Sequence, residues 1–303
     1  MGKVLLFYKY VEIEYPKRII KWQKQICHNL NLTGRILIGK EGINGTVGGS
    51  DVNTDLYISI MQKNELFSDM EFKQSIGDAT CFPKMRIAER NEIVTLGLSV
   101  DDIKTGGGKH LKPEQTHNLI ASSPKDLVMI DVRNDYEWKV GRFTGAPLIN
   151  PKTQTFKEFP EFIDKNLDQF KDKQVLMYCT GGVRCERAST YLQKKGIAKK
   201  IYQMDGGIHK YVEKYPNGYF RGKNYVFDGR ITVKANEDIL GTCEICSTSC
   251  DDYINCLNVQ CNKHFISCSD CVQKLQKTCS TTCRDLLASN KVESRPEFKK
   301  YKQ

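Results

Sequence analysis

Two groups of residues have the types and spacing to do chemistry. The first is Cys179-Thr180-Gly181-Gly182-Val183-Arg184-Cys185, which lies between an apolar run at 174–178 and a helical pattern at 185–195. A cysteine between a buried strand and a helix meets the helix's free N–H groups and its partial positive charge. Both favour the thiolate, which is the nucleophilic form. Gly181 and Gly182 let the backbone curl so that several N–H groups point at one sulfur, a cradle suited to a thiolate or a persulfide anion. Arg184 adds a fixed cation at the rim. Cys185 sits in the first helical turn, where it either packs or resolves an oxidised sulfur on Cys179. Arg187, one turn along, is a candidate phosphate contact.

The second group is a run of nine cysteines between Cys243 and Cys283, out of thirteen in the chain. Cys243, Cys246, Cys261, His264, Cys268, Cys271, Cys279 and Cys283 give two Cys-x2-Cys pairs and four further ligands. Short Cys-x2-Cys turns present two thiolates to one side of a tetrahedral ion, so eight ligands suffice for two structural zinc ions. The expected pairing is cross-braced: Cys243, Cys246, Cys268 and Cys271 at one site, and Cys261, His264, Cys279 and Cys283 at the other. Cys250 and Cys256 are left over, and Cys256 is an alternative to His264. Disulfides fit less well, because no secretion signal accompanies the cysteines.

These groups need elements to hold them. Strand patterns at 127–132, 174–178 and 200–204 alternate with helical patterns at 113–121, 156–170 and 185–195, which predicts a parallel α/β sheet. The Cys179 loop therefore falls at the carboxyl end of a central strand, where ligands bind in such sheets. Residues 1–104 read as a separate α+β unit. Strands at 4–11, 34–47 (two, joined by a turn), 71–76 and 92–96 surround helices at 16–32 and 51–66, with Asp51 as the expected N-cap, and the order suits a ferredoxin-like sandwich. Gly39-Lys40-Glu41-Gly42-Ile43-Asn44-Gly45-Thr46 lacks the spacing of a phosphate-binding loop. It reads as a tight turn, with anion or RNA contact as the alternative. Thr105-Gly106-Gly107-Gly108-Lys109-His110 is a flexible break, so the expected domains are 1–104, 112–220 and 221–303, the last carrying a basic tail with Lys291, Arg295, Lys299, Lys300 and Lys302.

The chain of 303 residues has 46 Lys and Arg against 36 Asp and Glu, a formal charge of +10. The excess is consistent with a polyanionic partner. No apolar run approaches the roughly 20 residues that span a bilayer, nor is there a signal-peptide core. We therefore expect a cytoplasmic protein without a membrane partner. The five histidines form no two-His-plus-carboxylate iron motif, and no dinucleotide fingerprint is present.

Asp131-Val132-Arg133, the Glu137…Gly141-Arg142-Phe143…Gly145-Ala146 stretch, the Cys179 loop and Met204-Asp205-Gly206-Gly207 together resemble a rhodanese domain. Related phosphatases carry Cys-x5-Arg, whereas Cys179 and Arg184 make Cys-x4-Arg, a tighter ring that suits a sulfane sulfur. Cys179 to Ser189, the Gly39–Thr46 segment, Tyr202-Gln203-Met204-Asp205-Gly206-Gly207-Ile208, Val226-Phe227-Asp228-Gly229-Arg230 and the cysteine cluster resemble more specifically the rhodanese-related tRNA uridine(34) hydroxylase family, over nearly the whole chain. That resemblance implies an oxidoreductase forming 5-hydroxyuridine at the tRNA wobble position, with molecular oxygen and an unidentified reductant as co-substrates. Cys179 and Arg184 are then the catalytic residues, Arg187 a substrate contact, and the anticodon region of tRNA the partner. The alternative is a sulfurtransferase carrying sulfane sulfur from a small-molecule donor on Cys179. A zinc-dependent binding module with a vestigial rhodanese is the third reading.

Overall fold

The structure is a computed structural model that describes residues 2–97 and 106–296. Of the expected break at 105–110, only Thr105 lies outside the described residues, as do the tail residues Lys299, Lys300 and Lys302; Lys109 and His110 are instead part of a strand, and the Gly108 N–H is tied to the Ser189 hydroxyl at 2.9 Å. The N-terminal unit runs β1 (Gly2–Tyr10), α1 (Pro16–Asn29), β2 (Thr33–Gly39), β3 (Gly42–Ser50), α2 (Asp51–Gln62), β4 (Phe72–Ile76) and β5 (Met85–Glu89). The sheet order is β4-β1-β3-β2-β5, antiparallel apart from β5, which lies parallel to β2. This is the ferredoxin-like order with a fifth strand added at one edge.

Two local expectations change. The N-cap of α2 is Ser50, whose hydroxyl accepts the Asn53 N–H at 3.2 Å. The last strand is Met85–Glu89 rather than 92–96. There, side-chain carboxylates take the amides that a ladder would have used: Glu41 accepts the Ile93 N–H at 2.5 Å and Glu92 the Leu96 N–H at 2.6 Å.

Strand β1 is covered on both faces. Leu5 and Phe7 point into a core with Ile36, Ile38, Ile43, Val47, Tyr57 and Met61, beneath the helices. By the period-two alternation of a strand, Leu6, Tyr8 and Tyr10 point the other way, and they are half-buried against the second unit.

That unit comprises β6 (Lys109–Leu111), α3 (Pro113–Ser122), β7 (Leu127–Asp131), α4 (Asp135–Val140), β8 (Gly141–Phe143), β9 (Leu148–Ile149), α5 (Phe159–Lys165), β10 (Gln174–Tyr178), α6 (Val183–Lys194), β11 (Lys200–Met204) and α7 (Gly207–Lys214). Its sheet, β6-β11-β10-β7-β9, is wholly parallel. Val128, Ile130, Val175 and Met177 pack with α5 and α6 on one face. Leu127, Met129, Leu176 and Tyr178 pack with Ile120 of α3 and Ile208 and Tyr211 of α7 on the other. Burial on both faces accounts for the unbroken apolar runs.

The chain then forms β12 (Phe220–Tyr225), which pairs with β8 and with β13 (Thr232–Lys234). A cysteine-rich unit follows, with hairpin β14 (Tyr253–Asn255) and β15 (His264–Ile266), α8 (Ser269–Lys274) and α9 (Thr281–Ala288). Among the described residues no helix is long and apolar enough to cross a membrane.

Candidate active site and metal centres

Strand β10 delivers Cys179 at its carboxyl end, and α6 starts four residues later. The Gly182 N–H donates to Cys179 Sγ at 3.1 Å. Gly182 has φ +104°, and a Cβ there would sit 2.7 Å from the Tyr8 hydroxyl, so both conformation and space call for glycine. A second helix closes the loop from beneath. The first turn of α7 donates Ile208 N–H to the Cys179 carbonyl at 3.0 Å and His209 N–H to the Thr180 carbonyl at 3.1 Å. This approach depends on Gly207, where φ is +62° and a Cβ would lie 2.4 Å from the Cys179 oxygen.

Cys179 is fully buried. Burial opposes its ionisation, yet the Cys185 thiol donating to it, the Arg184 charge and the Arg184 and Gly182 N–H groups outweigh that cost and bring its pKa down to about 5. Burial and the neighbouring thiolate push Cys185 well up, so it stays a thiol and a donor. At neutral pH the loop therefore holds one thiolate and one thiol. Such a thiolate is a nucleophile with its charge already solvated by fixed dipoles.

Arg184 is fixed by Glu137 of α4 through two hydrogen bonds of 2.6 and 2.8 Å, and it donates to the Thr180 hydroxyl at 3.2 Å. Glu137 also accepts from the Asn134 N–H at 3.0 Å and the Thr180 hydroxyl at 3.1 Å. Burial pushes the Glu137 carboxyl up, but Arg184 holds it below the usual range, so the pair stays charged. Asp131 and Arg133 form a second buried pair, at 2.7 and 2.9 Å, and Arg133 ties it to the Gly141 carbonyl at 2.6 Å. Their geometry is that of a brace between β7 and β8.

The N-terminal sheet roofs the loop. A Cβ on Gly181 would lie 2.6 Å from Leu6. The Tyr8 hydroxyl donates to Glu186 at 3.3 Å and the Tyr10 hydroxyl to the Val183 carbonyl at 3.3 Å. Lys73 of β4 is buried with its ammonium 4.7 Å above the Tyr8 ring. Burial, aided by Lys210, lowers its pKa to about 8, while Glu71, Asp205 and Cys179 oppose the shift. His209 is held neutral, its pKa lowered to about 4 by burial and by Lys73 and Arg230.

Arg187, read from sequence as a substrate contact, is 2% exposed and paired with Glu41, with Glu92 at 3.9 Å. Its guanidinium is turned to carboxylates of the N-terminal unit. Leu6, Tyr8, Lys73 and His209 were not singled out in the sequence. One signal was available: β1 carries aromatic residues on its second face, which marks a strand covered on both sides.

In the C-terminal unit, Cys243, Cys246, Cys268 and Cys271 converge with all four sulfurs within 4.8 Å of one another, and so do Cys256, Cys261, Cys279 and Cys283. Sulfur separations of 3.6 Å (Cys246–Cys268), 3.6 Å (Cys261–Cys279) and 3.8 Å (Cys279–Cys283) match the edges of a tetrahedron with metal–sulfur bonds of about 2.3 Å. The four-thiolate donor sets therefore fit zinc. The sets alternate pairwise along the chain, as expected for cross-bracing.

The second set corrects the pairing: Cys256 replaces His264. The imidazole faces away, with Nδ1 2.9 Å from Asn255 Oδ1, Nε2 3.2 Å from the Tyr225 hydroxyl and the ring stacked 4.3 Å from Tyr253. His264 starts β15, and the ladder with β14 commits its side chain to the aromatic cluster. Cys250 joins neither set and packs with Cys243, Tyr253 and Ile266.

Three families match successive parts of the chain: the UPF0176 acylphosphatase like domain over residues 2–93, the Rhodanese-like domain over 112–214 and the Rhodanase C-terminal family over 221–284. Over 289 residues the chain is 40% identical to the tRNA uridine(34) hydroxylase of Shouchella clausii (strain KSM-K16), covering 93% of this chain and 88% of that protein. It is also 40% identical over 290 residues to the tRNA uridine(34) hydroxylase of Corynebacterium jeikeium (strain K411), covering 93% and 92%. Among solved structures, a rhodanese-like domain protein from Staphylococcus aureus is 27% identical, covers 34% of this chain and 90% of that one, and has a TM-score of 0.28. With this identity sustained across all three parts, the chain belongs to the tRNA uridine(34) hydroxylase family.

Proposed function

We propose that this protein is a tRNA-modifying oxidoreductase that hydroxylates the wobble uridine to 5-hydroxyuridine, with Cys179 and Arg184 as its catalytic pair. The observation that carries the reading is the buried, N–H-cradled Cys179 thiolate in a chain that matches a tRNA uridine(34) hydroxylase over 93% of its residues. Cys179 supplies the nucleophilic sulfur, α6 and Arg184 hold its charge, and Cys185 donates to it. Molecular oxygen and a reductant are co-substrates supplied from outside the chain. Each set of four cysteines binds one zinc ion; with four sulfur corners filled, these are closed structural sites that brace the C-terminal unit. The anticodon region of tRNA is the partner, in the cytoplasm. The units 1–104, 112–220 and 221–303 divide the labour into roof, catalytic loop and zinc brace.

Sulfane transfer from a small-molecule donor would use the same cysteine. Kinship over all three parts of the chain, rather than over the rhodanese part alone, favours RNA. The test is nucleoside mass spectrometry on tRNA from cells lacking the protein, complemented with wild type or Cys179→Ser. Loss of 5-hydroxyuridine derivatives, restored by wild type only, supports the reading. Unchanged levels in cells with no second pathway overturn it.

A further inference from the structure

Phe227 is left 58% exposed in a segment that is otherwise tied down. The turn that carries it is closed by the Val226 N–H on the Ile231 carbonyl at 2.8 Å. Within it, Arg230 grips Asp228 at 2.9 and 2.5 Å. Arg230 also reaches across to the N-terminal unit, donating to Ser75 Oγ and to the Ile76 carbonyl, both at 2.8 Å, while Gly229 N–H donates to the Cys81 carbonyl at 2.7 Å. The turn thus ties β4 to the sheet of β8, β12 and β13, so Phe227 is an exposed ring on a fixed mount.

Its position relates it to the catalytic loop. The Phe227 ring centroid is 5.6 Å from the Arg184 guanidinium carbon and 5.5 Å from the Tyr225 ring, which it meets edge-on. Tyr225 is itself coupled to the loop, its carbonyl lying 3.4 Å from the Thr180 hydroxyl. An apolar ring held in water beside a planar cation matches the way proteins receive unstacked bases, on aromatic faces and guanidinium planes. A rigid mount lowers the ordering cost of forming that stack.

We propose that Phe227 is a stacking platform for an unstacked nucleobase of the anticodon loop, beside Arg184 at the edge of the Cys179 loop. The inference rests on the tRNA reading above and adds the residue that receives the base.

The test compares Phe227→Ala, Phe227→Leu and Phe227→Tyr in the full-length protein. Two readouts are needed: steady-state hydroxylation of tRNA, and fluorescence anisotropy with a labelled anticodon stem–loop. Phe227→Ala and Phe227→Leu are expected to raise both KM and the Kd for the stem–loop by about 5- to 150-fold, the range for losing one base-stacking partner. Phe227→Tyr, which keeps the ring, is expected to stay near wild type. The pH midpoint of Cys179 alkylation should be unchanged in all three. Wild-type KM and Kd in Phe227→Ala and Phe227→Leu would overturn the proposal. So would a shifted Cys179 midpoint, which would assign Phe227 to the packing of the loop. If wild type binds the stem–loop through Phe227 but hydroxylates no tRNA, the hydroxylase reading fails while the platform stands.

Discussion

Cysteine sits in two different surroundings in this chain, and the Cys179 loop and the C-terminal clusters show what separates them. Cys179 is fully buried with one sulfur neighbour, Cys185, and its charge is held by backbone dipoles and Arg184. In the clusters four sulfurs gather within 4.8 Å, and Cys246 and Cys261 are exposed. Backbone N–H groups stabilise one anion without consuming it, so the sulfur stays nucleophilic. Four crowded thiolates repel one another until a cation neutralises them, and once ligated they are structural. The number of sulfurs facing one point, rather than burial, separates reagent from ligand.

Stripping the metal should break the comparison most visibly. Structural zinc contributes folding free energy on the order of 10 kcal/mol per site, so a chelator should unfold the C-terminal unit and leave the Cys179 loop folded. Hydrogen exchange resolves the two regions. Within that experiment, Cys256→Ser should lose one of the two zinc equivalents, whereas His264→Ala should keep both, measured by elemental analysis. Retention of both by Cys256→Ser would restore the imidazole as a ligand.

The converse change acts on the Cys179 loop and leaves the cysteine clusters untouched. Cys179→Ser should drop hydroxylation to background, a loss of at least about 1000-fold, or roughly 4 kcal/mol in barrier. Zinc content should stay as in wild type, while thermal unfolding at neutral pH should come somewhat earlier, because the variant lacks the ionised sulfur. Activity in that variant would move the chemistry elsewhere.

Glu137→Gln tests the brace behind the reagent. Removing one partner of a buried pair leaves the Arg184 charge uncompensated, at a cost of about 3 kcal/mol. The variant should unfold at lower urea with zinc still bound. A stability change within about 0.5 kcal/mol, the size of a surface substitution, would show that solvent replaces the carboxylate.

The smallest effect is a titration. Thiolate absorbance assigned to Cys179 by difference from Cys179→Ser should appear as pH rises through about 5. Its folded pKa lies below the ordinary thiol value of 9.0, so the ionised loop contributes stability in full above that value. The contribution shrinks as pH falls toward about 5. A midpoint at the ordinary thiol value would remove the cradle argument.

Much of this was legible in the sequence because its causes are local. The strand–Cys179–glycine–helix order places N–H groups within a few residues of the sulfur, and alternating apolar runs dictate a parallel sheet. The first set of four cysteines follows from two Cys-x2-Cys pairs. The choice between Cys256 and His264 was not legible: they are eight positions apart, and only the pairing of β14 with β15 decides which side chain faces Cys261, Cys279 and Cys283.

The partners in the longer reaches were not legible. Arg187 looks like a phosphate contact until Glu41, 146 positions away, meets it. The Tyr8 hydroxyl reaches Glu186 across 178 positions, roofing a loop that by itself looks open. Phe227 reads as one more apolar residue until its turn is clamped and its ring left in water. The sequence by itself determined the Cys179 loop, the sheet and the gathering of thiols suited to metal, because hydrogen bonds and side-chain periodicity act over a few residues. Tertiary structure decided what covers that loop, which thiols converge on one point and which surface faces solvent, because those depend on how separately folded units pack.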